Sequence, residues 1–199
     1  MDDLRLKLGI AYEGEDRDFI VIDNIIKKIL PSNINYQVLR LVSPRTCILG
    51  NVTIYTRLFF CSAESVDLAL FFTDQDKDKE GRKDKIRELI SRVNPGYIDF
   101  SVIGVPDPHL EKWLISDYNA VKRVFGLPGD EKIPGSDLSP KDQIKFLQSL
   151  MGKEQLSFYE ACENLSHELD IDVVRQRCAD FNSFAGELIN AIKKLSIKS

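Results

Sequence analysis

Leu4, Leu6, Leu8, Ile10 and Tyr12 alternate with Arg5, Lys7, Gly9 and Ala11, the period-two pattern of a β-strand. The pattern stops at Glu13-Gly14, and the glycine permits a sharp turn out of the strand. Phe19, Ile22, Ile26 and Ile29 follow at spacings of three and four, which predicts an amphipathic helix. Glu15, Asp16 and Asp18 fall in its first turns, where the helix dipole favours negative charge. Tyr36 to Val42 predicts a second strand, bounded by Ser43-Pro44-Arg45 and Gly50-Asn51. Val52 to Ala63 is ambiguous, because its β-branched residues suit a strand while its length suits a helix. Leu68 to Phe72 is an unbroken apolar run, the signature of a strand buried on both faces. Lys79 to Val93 predicts a helix with Ile86, Leu89, Ile90 and Val93 inward and mixed charges outward. Tyr97 to Val105 is β-rich and is broken by Pro106 and Pro108, the latter well placed to start a helix.

Residues 126 to 140 change character: Gly126, Pro128, Gly129, Pro134, Gly135, Ser136 and Pro140 predict a linker or ordered loop. Beyond it every apolar pattern is helical. Ser139-Pro140 suits an N-cap and first helical position, ahead of Ile144, Leu147, Leu150 and Met151. Phe158, Ala161, Cys162, Leu165 and Leu169 form a second stripe, and Ile171 to Cys178 continues it. Phe184, Leu188, Ala191, Ile192 and Leu195 form a last one. These faces must be buried against one another, the α/β part or a partner chain. This region has no metal or nucleophile spacing, so packing or assembly is its expected role. The chain therefore divides into an α/β domain over 1–125, a loop over 126–140 and a helical C-terminal appendage over 141–199.

Composition narrows the class. The 199 residues carry 27 basic and 31 acidic side chains, a formal charge of −4 with a pI near 5.3. No global basic field announces nucleic-acid binding, though a partner subunit could supply one. No apolar run approaches the ~20 residues of a membrane span. Met1-Asp2-Asp3 is acidic and leads straight into a strand, unlike a secretory signal. Cys47, Cys61, Cys162 and Cys178 are scattered without a CxxC and read as reduced thiols. A cytoplasmic protein without membrane association is expected.

The candidate chemistry lies where the strands end. The Leu68–Phe72 run terminates in Thr73-Asp74-Gln75-Asp76-Lys77-Asp78. Carboxylates crowded at a strand end repel one another and persist together most easily around a divalent cation. A polar turn is the plain alternative, since Asp favours turns and N-caps. Glu13 supplies a second acidic strand end from a distant part of the chain. Ligands in open α/β sheets bind beyond the carboxyl ends of the strands, so Glu13, Asp74 and Asp76 would converge there if their strands are neighbours. Such hard oxygen donors favour Mg²⁺ or Mn²⁺ over zinc.

Tyr12-Glu13-Gly14 followed by Thr73-Asp74-Gln75-Asp76 resembles the Toprim domain of topoisomerases, primases and OLD-type nucleases. The resemblance covers roughly the first 125 residues and implies a Toprim-like Rossmannoid parallel sheet flanked by helices. It implies that Glu13, Asp74 and Asp76 bind divalent metal for phosphoryl transfer; Glu111, Asp78 and Asp16 are candidates to complete the shell. It also requires a crossover at Val52 to Ala63, so a helix is expected there. Many members carry an acid four residues after the glutamate; here that position is Arg17, flanked by Asp16 and Asp18. Glu111-x-Trp113-Leu114-x-x-Asp117 resembles small Toprim-like proteins encoded beside ABC-type ATPases in anti-phage defence loci. An ABC-type ATPase partner and a nucleic-acid substrate are what that resemblance implies. Arg82, Lys83 and His109 are candidate phosphate contacts, and His109 a candidate proton donor. With no tyrosine placed as a covalent nucleophile, the reading is a metal-dependent nuclease that works as a homo-oligomer or with its partner, with cleavage by the chain alone expected to be weak or absent. Two alternatives remain. One is a non-catalytic regulatory or scaffolding subunit that keeps the fold. The other is a haloacid-dehalogenase-like phosphatase, which also places Asp-x-Asp at a strand end. That family usually continues with Thr or Val where this chain has Asp78.

Overall fold

The computed structural model describes residues 4–43, 48–75, 81–128, 132–151 and 156–198. The chain begins with strand β1 (Leu4–Glu13), helix α1 (Asp16–Ile29) and strand β2 (Ile34–Ser43). A short 3-10 helix, Ile48–Gly50, leads into α2 (Val52–Cys61), β3 (Leu68–Phe72) and α3 (Arg82–Val93). A second 3-10 helix, Pro95–Phe100, precedes β4 (Ser101–Gly104). Among the described residues six helices follow: α4 (Glu111–Ser116), α5 (Tyr118–Phe125), α6 (Pro140–Met151), α7 (Phe158–Glu168), α8 (Ile171–Arg177) and α9 (Ala179–Lys198).

The four strands form one parallel sheet in the order β2-β1-β3-β4, a Rossmann-like α/β architecture with helices on both faces. Parallel strands need crossovers, and α2 supplies the one between β2 and β3, so the ambiguous segment is helical as expected. Strand alternation sorts the core into two layers. Leu6, Leu8, Ile10 and Tyr12 of β1 join Leu68, Leu70 and Phe72 of β3 in a layer with α1 and helices α4 to α9. Ala11, Ala69, Phe71 and Ile103 face the other way, onto Val52, Phe59, Ile86 and Ile90 of α2 and α3. Gly9 marks the closest approach: a Cβ there would meet the Phe59 ring at 2.5 Å.

The C-terminal helices are one of these two layers. Phe184 of α9 stacks on Trp113 and meets Phe72 of β3 edge-on, at 5.6 and 5.0 Å. Phe184 and Leu188 are buried within the chain, as are Ala161, Leu165 and Val174. Asn24 of α1 donates to Ser166 Oγ of α7 at 2.9 Å inside this layer. The stripes predicted from spacing are thus covered internally, apart from Leu150, which is 55% exposed.

Two local readings differ from the sequence pattern. Strand β4 is short, Ser101–Gly104, and Pro95–Phe100 is a 3-10 helix. Asn94 accepts from Gly96 N at 2.9 Å and turns the chain there, while Tyr97 stacks on Phe60 at 4.5 Å. Helix α4 starts at Glu111 rather than at Pro108, because the preceding loop is held from outside. Asp180 Oδ2 of α9 accepts from Asp107 N at 3.0 Å and from Trp113 Nε1 at 2.6 Å. Asp117 is buried and caps α5, accepting from Asn119 N and Ala120 N at 3.0 and 3.2 Å. Of the described cysteines, Cys162 and Cys178 are buried and Cys61 is exposed, and all three are free thiols.

Candidate functional site

Chain order reverses direction across the sheet between β1 and β3, since β2 lies to one side of β1 and β3-β4 to the other. A crevice opens at the carboxyl ends of strands at such a switch point. Here it is a cleft of about 1360 Å³ lined by Glu13, Thr73, Asp74 and Glu111, by the first turn of α1, and by residues of α6 and α7.

Glu13 is fixed in the crevice by its neighbours. Its Oε1 accepts from Ile48 N at 2.9 Å and from the Thr73 hydroxyl in a short hydrogen bond. Glu13 therefore ties the end of β1 to the end of β3. Gly14 follows with φ of +121°, a backbone conformation that suits glycine. A Cβ there would also lie 2.2 Å from Asp18 Oδ2. That oxygen accepts from Glu15 N at 2.7 Å and closes the first turn of α1.

Asp74 leaves β3 on a ladder that outruns the strand. Thr73 N donates to Gly104 O at 3.1 Å and Gln75 N to Pro106 O at 3.0 Å. The ladder carries Asp74 to the loop before α4, where its Oδ1 accepts from Leu110 N at 3.2 Å. Its Oδ2 lies 3.1 Å from His109 Nδ1, the donor when that nitrogen carries the proton. Burial pushes the Asp74 carboxyl up to about 6, with His109 pulling it down and Glu111 adding to the rise. Asp18 is raised too, first by burial, with Glu111 among the further causes. Burial raises the Cys162 thiol, and Glu111 and Asp18 add to it. Glu111 thus acts on Asp18 and on Asp74 alike.

The other expected residues divide. Arg82 is buried, and its guanidinium donates to Thr73 Oγ1 at 3.1 Å and, in a short bond, to the Asp74 carbonyl. It braces the strand end. Lys83 turns to α9, 2.6 Å from Glu187 Oε1 and 3.1 Å from Ser183 Oγ. Asp16 pairs with Arg40 at 3.7 Å and accepts from the Tyr12 hydroxyl at 3.5 Å, so Asp18 is the flanking acid that shares the Glu111 field. Asp76 and Asp78 lie outside the described residues.

Spacing in the sequence does not announce five contributors to the cleft. Thr73, beside the acidic motif, links Glu13 to Arg82. Lys141 and Lys145 of α6, and Phe158 and Tyr159 of α7, form the cleft wall. Tyr159 OH donates to Glu15 Oε2 at 3.0 Å, a contact across 144 residues that no local pattern announces.

The donor set is carboxylate oxygen, the chemistry of Mg²⁺ or Mn²⁺ sites. Among the described residues no group of three or more His, Cys, Asp or Glu side chains is already gathered to hold a metal. No protein family, curated protein or solved structure matches the chain. Among the described residues no helix is long and apolar enough to cross a membrane.

Proposed function

We propose that the chain is a divalent-metal-dependent phosphodiesterase of Toprim type, a nuclease working in the cytoplasm with a partner such as an ABC-type ATPase in anti-phage defence. The observation that carries this reading is the meeting of Glu13 and Asp74, acids from two separate strand ends, in one cleft at the switch point of a parallel sheet. Like charges drawn together in a part-buried site raise each other's proton affinity, as Glu111 does to Asp74. A cation relieves that repulsion.

Glu13 and Asp74 would hold the cation, with Asp76 expected to join them and Glu111, Asp18 or Asp78 completing the shell. Bound there, Mg²⁺ or Mn²⁺ supplies charge neutralisation for a phosphoryl group and lowers the pKa of water. The remaining work falls to the chain's own residues. Thr73 and Arg82 keep Glu13 and the end of β3 in register. His109, oriented by Asp74, is the group available to pass a proton to a departing oxygen. The tightness of these second contacts suits a site that must hold its geometry while charge changes.

The test is thermal unfolding with and without Mg²⁺ or Mn²⁺. Binding to the native state alone at a hundred times Kd stabilises by about 2.7 kcal/mol, a rise of several degrees in Tm. Glu13→Gln with Asp74→Asn should remove that rise while leaving the circular dichroism spectrum intact. An equal rise in the variant would show that any cation binds elsewhere. No rise in either protein would favour a non-catalytic subunit that retains the fold.

A further inference from the structure

The cleft has a second wall whose chemistry differs from its floor. Phe158 and Tyr159 open helix α7, with ring centroids 5.7 Å apart and planes at 79°. Each ring has a cation beside it: Arg17 Cζ lies 4.9 Å from the Tyr159 centroid and Lys141 Nζ 5.6 Å from that of Phe158. Lys145, one turn along α6 from Lys141, lines the same space. All three cations are exposed. The Tyr159 hydroxyl is held by Glu15, which fixes the ring's orientation at the mouth of the cleft.

We infer that this wall is a seat for a single-stranded polynucleotide, whose phosphates meet Lys141, Lys145 and Arg17 and whose bases stack on Tyr159 and Phe158. The inference rests on the phosphodiesterase reading of the cleft floor and names its substrate class. A chain with net charge −4 cannot hold nucleic acid by its overall field. It needs a local basic track, and aromatic rings interleaved with cations are the usual form of such a track for single strands. The strand class follows from the rings. In a duplex the base faces are taken up by stacking on one another, whereas an unpaired base offers its face to a side chain. Arg17 has a planar guanidinium that can itself stack on a base, so its place over Tyr159 leaves that position usable. The acids of the floor repel phosphate, which directs the strand to the basic wall and leaves the floor to the cation.

The experiment measures fluorescence anisotropy of labelled oligo-dT, oligo-U and a duplex DNA of equal length, with the full chain, in EDTA and in Mg²⁺. The wild type should bind one or both single strands more tightly than the duplex. Lys141→Glu with Lys145→Glu, at exposed positions, should weaken single-strand binding by about tenfold or more and flatten its salt dependence. Tyr159→Leu should weaken it severalfold, while Tyr159→Phe, which keeps the ring and loses only the bond to Glu15, should bind like the wild type. The lysine variant should keep the Mg²⁺-dependent rise in Tm, which reads the floor alone. If the rise is absent from the wild type but oligonucleotide binding still depends on these residues, the metal reading fails and the seat stands. Binding that is absent, stronger for duplex, or unchanged in the lysine and Tyr159→Leu variants overturns the seat.

Discussion

The floor and the wall of the cleft are built on opposite principles. The floor is made of backbone ends: Glu13 and Asp74 sit where β1 and β3 stop, tied together through Thr73 and Arg82. Its side chains are part-buried, crowded and acidic, and burial is the largest of the causes that lift Asp74 to about 6. The wall is made of helix surface: Lys141, Lys145 and Tyr159 project from α6 and α7, and Tyr159 reaches the start of α1 through its bond to Glu15. Rigid, pre-set geometry suits chemistry, and exposed, adaptable cations and rings suit the holding of a long polymer. The two therefore should respond to different perturbations.

The largest effect is expected where the comparison touches the fold itself. The helices that carry the wall also cover one face of the sheet, so removing residues 141–199 should leave 1–140 unable to fold. Within the intact chain, Leu188→Ala empties a fully buried position and should cost about 2–5 kcal/mol. Urea denaturation should show one transition shifted to lower midpoint. A folded, cooperative fragment 1–140 would mean that the helical layer is a separable appendage after all.

A smaller and more selective effect concerns the floor alone. The Asp74 carboxyl is raised in the folded protein from an ordinary value of 3.8 to about 6. The native state therefore holds the proton more tightly than the unfolded chain. Its contribution to stability is fully present below 3.8 and is lost as pH rises through about 6. Without metal, Asp74→Asn should match the wild type near pH 4 and exceed it at pH 8. Because 39% of the Asp74 side chain is exposed, solvent screening limits the gain to about 1 kcal/mol. With Mg²⁺ the sign reverses, since the cation needs the ionised form, and the metal-dependent rise in Tm should fade as pH falls through about 6. A pH-independent difference between wild type and Asp74→Asn would place the cause of any stability change elsewhere.

The floor is readable in the sequence because it is made of strand ends. An alternating run ending in Glu13 and an apolar run ending in Asp74 are local patterns, and a parallel sheet brings strand ends to one edge. The wall was not readable, because its position depends on how α7 docks on α1 across more than a hundred residues. Stripes such as Phe184 and Leu188 announce that a helix is buried but not on what. Asp117 illustrates the limit: part of a sequence motif near the acidic strand ends, it is a buried cap that also accepts from Asp170 N at 2.9 Å. Strand β4 is shorter than its β-rich stretch because aromatic and β-branched residues at Tyr97 and Ile98 suit packing in the α2 and α3 layer as well as a strand.

The smallest effect separates the basic residues of the wall from those that only resemble them. Lys83 follows Arg82 close to the acidic strand end in sequence, which made it a candidate phosphate contact. Its ammonium instead lies 2.6 Å from Glu187, with the two side chains 25% and 33% exposed. Arg87 shares the same Oε1 at 3.3 Å. A part-exposed pair of this kind contributes roughly 0–1 kcal/mol, and Arg87 would retain part of the attraction in its absence. Lys83→Ala should therefore lower stability by less than about 1 kcal/mol, a shift in urea midpoint near the limit of measurement. Its oligonucleotide affinity should stay within about twofold of the wild type, since one lost cation matters to binding only where a phosphate meets it. If Lys83→Ala instead weakened binding as strongly as Lys141→Glu with Lys145→Glu, the α3 side of the cleft would share the holding of substrate, and the division between floor and wall would have to be redrawn.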